Sequence, residues 1–105
     1  MRRYEVFISD KANDDLEDVY SYISETLLAP LTALKQYDRI ADAILSLEVL
    51  PERIKVMDSE PERSKGFRPL LVDHYTVVFV IKGHTVNIVR VLYSSSDIGA
   101  RLLEE

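Results

Sequence analysis

At 105 residues the chain has the size of one domain, with room for a single modest core. It has no cysteine, which excludes disulfides and thiolate metal sites, and no apolar run near the roughly 20 residues of a membrane-spanning helix. The net charge of −5 argues against non-specific nucleic-acid binding, but residues 1–62 carry 14 acids against 7 bases while residues 63–101 carry 6 bases against 2 acids, so an anionic partner would meet the second half.

The opening "MRRYEVFIS" is too short and too polar afterwards for a leader, and a cysteine-free chain suits a reducing cytoplasm. Tyr4 to Ile8 alternates in β-formers and predicts a strand. Ser9 or Asp10 then caps a helix whose apolar face is Ala12, Leu16, Val19, Tyr20, Ile23 and Leu27. The acids early in that helix read as a solvated face favoured by the helix dipole. Pro30 opens a second helix with Ala33, Tyr37, Ile40, Ala41, Ile44 and Leu47 on one side, and Pro51 stops it. Tyr4, Tyr20, Tyr22 and Tyr37 read as packing residues. Residues 51–66, with two prolines and much charge, predict a surface loop with an extended piece at Ile54–Met57.

Three strands follow at Phe67–Val72, Tyr75–Lys82 and Thr85–Tyr93, joined by tight turns at Asp73-His74 and Gly83-His84. Ser96 to Leu103 reads as a short helix, with the serines as strand exit and N-cap and Asp97 in its first turn. The order predicts an α+β domain over residues 1–105: strand, helix, helix, a three-strand antiparallel meander and a short helix.

A two-residue turn at Gly83-His84 pairs Lys82 with Thr85, and unbroken register then sets Tyr75 opposite Leu92, Val77 opposite Arg90 and His74 opposite Tyr93. Parity puts Tyr75, Val77, Phe79 and Ile81 on one face with Val86, Ile88 and Leu92. Val78 and Val80 share the other face with Val89 and Val91. Both faces are apolar, so the helices cover one and the other needs the tail helix, a second copy in a homodimer, or another protein. Arg90 inside an apolar strand demands a carboxylate or carbonyl partner, or binds an anion. Lys65 and Arg68 are phosphate-binding candidates, or ordinary exposed charges at the start of a strand. No cluster has metal-ligand spacing, no glycine-rich phosphate loop exists, and no cofactor is expected.

The whole chain resembles the RelE/ParE superfamily of toxins from bacterial type II toxin–antitoxin modules. "YEVFISDKANDDLEDVYSYISE" is similar to the family's opening strand and helix, and "APLTALKQYDRIADAILSLEVLPE" to its second helix and Leu-x-x-x-Pro stop. "SKGFRPLLVDHYTVVFVIKGHTVNIVRVLYSSSD" resembles its glycine, basic residue, turn, Tyr-led strand and final strand.

The resemblance implies a toxin held in check by a cognate antitoxin. It leaves two targets open: DNA gyrase, bound without chemistry by ParE-like members, and ribosome-bound mRNA, cut by RelE-like members. A toxin-like domain that has lost toxicity is a third reading.

RelE-like members usually place an Arg after the Tyr that opens the penultimate strand, and basic residues after the last strand. Here Thr76 follows Tyr75, and Ser94, Ser95 and Ser96 follow Tyr93. Hydroxyls do not stabilise a developing phosphorane charge as cations do. The balance therefore favours the ParE side, although the Arg pair common in ParE-like members before the position of Asp97 is also missing. Were the chain an mRNA endonuclease, His74 and Tyr93 would supply proton transfer and stacking, with Arg68 and Arg90 supplying charge. On the protein-binding reading, Lys65, Arg68, Arg90, Ser94, Ser95 and Asp97 would meet the target or an anion. Val78, Val80, Val89 and Val91 would then meet the antitoxin.

Overall fold

The computed structural model describes residues 3–103. Strand β1 (Glu5–Ile8) leads into helix α1 (Asp10–Ser21), and helix α2 (Pro30–Leu45) follows. Strands β2 (Arg68–Val72), β3 (Tyr75–Lys82) and β4 (Thr85–Tyr93) form the meander, and helix α3 (Ile98–Leu102) closes the chain. The sheet order is β1-β4-β3-β2, with β1 parallel to β4 and the other pairs antiparallel. This is the α+β architecture expected from the sequence, with its meander in place.

Ser9 caps α1 and ties it to the sheet. Its Oγ accepts from the Ala12 amide at 3.0 Å and donates to the Val89 carbonyl at 2.9 Å. α1 does not run on to Leu27. It loosens into a π turn over Tyr22–Thr26, in which the Leu27 amide reaches back to the Tyr22 carbonyl at 3.0 Å. The wider turn shifts the helical phase, so Ile23 stays buried while Leu27 swings into solvent. Leu28 then takes a left-handed conformation, φ 55°, and turns the chain into α2. Pro30 sits in the first turn of α2, as its missing amide allows. At the far end the chain passes through Leu50, φ 49°, into a 3₁₀ turn over Pro51–Arg53. The Arg53 guanidinium holds that corner by donating to the Val49 and Leu50 carbonyls at 2.7 and 3.1 Å.

α1 and α2 bury Ala12, Leu16, Val19, Ala33, Ile40 and Ile44 against Val77, Phe79, Val86, Ile88 and Val91 of the sheet. Burial of this apolar area is the main force holding the helices to the strands. The membership of Val91 corrects the expected register. Lys82 pairs with Thr85 and Phe79 with Ile88, but Val78 pairs with Arg90, Val77 with Val91 and Tyr75 with Tyr93. Val89 is the extra residue of a β-bulge, which moves the rest of β4 by one position.

Of the three covers expected for the second apolar face, the tail helix, a second copy or another protein, the chain's own segments supply one, so Val78, Val80 and Val91 are not free to meet an antitoxin. Val78, Val80 and Leu92 lie outside the helix-side cluster and are nonetheless buried, as is Val91 within it; Val89 is half-buried. α1 and α2 occupy the other face; on this side Arg90 donates to the Arg101 carbonyl of α3, and the buried Glu62 carboxylate would lie 3.6 Å from a Cβ placed on Gly99 of the same helix. Residues 54–57 form no strand, but the Met57 amide donates to the Phe67 carbonyl at 2.8 Å and pins the segment.

Candidate functional site

The start of β3 and the end of β4 form one wall of a cleft of roughly 630 Å³. The π turn supplies the facing wall with Tyr22, Ile23 and Leu27, and the first turns of α2 supply Thr32 and Gln36. His74, Tyr75 and Tyr93 stand on the sheet side, with Arg101 of α3 at the rim.

His74 and Tyr93 meet here, as expected, with ring centroids 6.4 Å apart. The bulge makes Tyr75, not His74, the residue opposite Tyr93, and those two rings pack edge-on at 5.7 Å. Burial pushes the Tyr75 phenol above its ordinary pKa, and the neighbouring phenols of Tyr93 and Tyr22 push the same way. One lip of the cleft is fixed by Asp73, φ 55°, in the turn before His74. Its carboxylate accepts two bonds from the Arg39 guanidinium, at 2.7 and 2.9 Å, and one from Gln36 at 3.1 Å. Those hydrogen bonds, Arg39 first, hold its carboxyl below the usual range.

The serines after Tyr93 do not cap α3, contrary to expectation. Ser94 Oγ lies 2.8 Å from Thr76 Oγ1, and the Ser94 amide donates to the His74 carbonyl at 2.8 Å. Ser96 closes a turn on the Tyr93 carbonyl, and Ser95 is exposed. The cap is Asp97, whose Oδ1 accepts from the Ala100 amide at 3.1 Å.

The basic candidates do not converge. Arg90 is buried with its guanidinium forked onto Asp15 of α1 at 2.8 and 2.9 Å, and it also donates to the Arg101 carbonyl at 3.2 Å. Of the two roles open to it, structural pairing is the one realised, and it has no surface for an anion. Arg68 pairs with Phe79, on the helix side of the sheet, while Arg90 pairs with Val78 on the other. Arg68 donates to the Ile54 carbonyl at 2.5 Å and so anchors the segment after α2. Lys65 is exposed in the loop before β2.

Asp15, Tyr22 and Tyr75 are site residues that the sequence reading gave other roles or none. Asp15 was legible in one respect. It stands three residues after Ala12, on the apolar side of α1, where a solvated acid does not belong.

Chemically, the cleft is apolar and close to neutral. Asp15 is taken up by Arg90, which leaves Asp18 and Arg101 as the charged lining among the described residues. Rows of aromatic and aliphatic side chains around a few polar groups suit an apolar anchor from a polypeptide better than a phosphate. Among the described residues no group of three or more His, Asp or Glu side chains is placed to hold a metal, and no helix is long and apolar enough to cross a membrane.

The family model for the ParE toxin of type II toxin–antitoxin systems matches residues 6–98. Among solved structures, the chromosomal ParDE toxin–antitoxin system from P. aeruginosa superposes with a TM-score of 0.73 at 24% identity, covering 87% of this chain and 96% of that one. The toxin–antitoxin complex RelBE2 from Mycobacterium tuberculosis superposes at 0.62 and 21% identity, covering 91% and 97%. At these identities the two likenesses speak for the fold. No curated protein matches the chain in sequence.

Proposed function

The chain belongs to the ParE toxin family of type II toxin–antitoxin systems, and on that premise we propose that it acts by gripping a protein target such as DNA gyrase and is neutralised by a cognate antitoxin. The observation that carries this reading is the chemistry of the cleft. Its walls are tyrosines and aliphatic side chains, with Arg101 the one cation in the lining among the described residues, and the basic residues expected to serve RNA cleavage are engaged elsewhere: Arg90 with Asp15, Arg68 on backbone carbonyls, Lys65 in a loop. An apolar or aromatic side chain of a partner would bury itself between Tyr22, Tyr75 and Tyr93, and the Ser94–Ser95 edge would meet its backbone.

One observation favours a second reading, the mRNA endonuclease: His74 and Tyr93 are neighbours at the cleft mouth. An assay with purified components separates the two. The first reading expects loss of gyrase supercoiling activity in the presence of the chain, restored by its antitoxin, with ribosome-bound mRNA left intact. Cleavage of that mRNA, abolished by Tyr93→Ala or His74→Ala, would overturn it. No effect on either substrate would favour a domain that has lost toxicity.

A further inference from the structure

The cleft is better supplied with hydrogen-bond acceptors than with donors. Burial, and then the nearness of the Tyr93 and Tyr22 phenols, raises the Tyr75 pKa, so three phenol oxygens share one neighbourhood. Asp18 adds a carboxylate to the same lining. It stands four residues before Tyr22, and the Tyr22 amide still donates to the Asp18 carbonyl, so regular helix holds the two side chains on one face, about 5–6 Å apart at Cβ. The Asp18 side chain is exposed and has no hydrogen bond or ion pair among the described residues. The other charges in the lining are committed: Asp15 is forked by Arg90, and Arg101 is not without a partner. Asp14, one turn before Asp18 and exposed, adds negative potential along the same face. Tyr22 and Tyr93 are 54 and 51% exposed, so both rings offer surface to an incoming group.

We propose that the segment gripped by this cleft carries an arginine next to its apolar anchor, and that Asp18 and Tyr22 receive that arginine while the anchor enters among the three tyrosines. The inference rests on the reading of the cleft as a protein-binding site and names the chemistry of its occupant. Aromatic faces beside an uncommitted carboxylate attract a cation and repel an anion. A guanidinium meets both features at once, since its plane stacks on a phenol ring while its N–H fork donates to a carboxylate. Its methylene stem also covers apolar surface on the way in. An acidic residue in the same place would set like charges together at Asp18 and would leave the phenol oxygens without a donor, so the site selects by repulsion as well as attraction.

Three capped dipeptides test this by titration into the full chain, freed of antitoxin and labelled with ¹³C in its tyrosine rings: N-acetyl-Phe-Arg-amide, N-acetyl-Phe-Gln-amide and N-acetyl-Phe-Glu-amide. All three should shift the NMR signals of Tyr22, Tyr75 and Tyr93 at millimolar concentrations. The Phe-Arg probe should bind about tenfold more tightly than Phe-Gln, and Phe-Glu should bind most weakly. Asp18→Asn should cut the Phe-Arg preference by about threefold or more and leave Phe-Gln binding unchanged. Added salt should narrow the same preference, since Asp18 is exposed. Phe-Arg binding no more tightly than Phe-Gln, or a preference that survives Asp18→Asn in full, would overturn the inference and leave the cleft as a site for the apolar anchor alone. Tightest binding of Phe-Glu would give the site to Arg101 and overturn it equally. If none of the three moves the cleft tyrosines, the inference and the protein-binding reading of the cleft fall together.

Discussion

Asp15 and Arg90, 75 residues apart in sequence, form a forked ion pair in which each side chain is 9% exposed. The Asp15 Oδ2 also accepts from the Val91 amide at 2.9 Å. The pair therefore satisfies the backbone at the point where β1 has ended and the edge of β4 is otherwise uncovered. Arg90 stands on the face away from α1 and reaches the helix around that edge.

Breaking the pair from one side strands a buried charge. Asp15→Ala should cost about 3–5 kcal/mol in urea unfolding, because both Arg90 and the Val91 amide lose their acceptor. Asp15→Leu combined with Arg90→Met should recover most of that, since neither charge then remains. A loss below about 1 kcal/mol for Asp15→Ala would mean that solvent reaches the pair.

Asp73 should titrate below an ordinary aspartate, because Arg39 and Gln36 donate to its charged form. A carboxyl whose folded pKa is depressed adds stability that is fully present above its unfolded value, about 3.9, and is lost as the pH falls through the folded value. Carbon-detected NMR of the Asp73 carboxyl should show the low midpoint, and Arg39→Ala should return it to the ordinary range. A midpoint unaffected by Arg39→Ala would remove the guanidinium as its cause.

Leu28 sits at φ 55° with most of its side chain in water. A non-glycine residue there carries about 1–2 kcal/mol of steric cost, and glycine loses part of the relief through its freer unfolded chain. Leu28→Gly should raise stability by about 0.5–1 kcal/mol in thermal or urea unfolding. A destabilised variant would show that the leucine packs against something at the helix corner.

Tyr22 tests the cleft. It is half-exposed on the π turn and makes no part of the buried cluster, so Tyr22→Ser should leave the fold intact. On the reading proposed above it should weaken binding of the protein target, such as DNA gyrase, tenfold or more, as loss of a central aromatic anchor does, measured by calorimetry. Unchanged affinity would move the target away from this cleft.

The elements themselves were legible in the sequence. Tyr75–Lys82 and Thr85–Tyr93 fall where alternation and the Gly83-His84 turn put them, because hairpin chemistry is local. The bulge at Val89 was not legible. With valine and isoleucine on both faces, a slip of one residue leaves the pattern looking the same. Arg90 was the single residue on which the slip showed.

The cover of the second face was hidden for a different reason. Half of residues 51–66 are charged, yet Val56 and Met57 are half-buried and Glu62 is buried. Composition reports the average of a segment, whereas docking depends on its few inward side chains. The π turn escaped as well, since a change of helical period over five residues leaves no mark in an apolar spacing that ends there.

Val89 gives β4 an odd count where its neighbour has an even one. Substitution there is a small matter of side-chain volume, but deletion would rotate every later position of the strand by half a turn. The guanidinium of residue 90 would be driven among the aliphatic groups beneath α1, and the isopropyl of residue 91 would face away from them. For this protein the length of the final strand is therefore a stricter requirement than its composition.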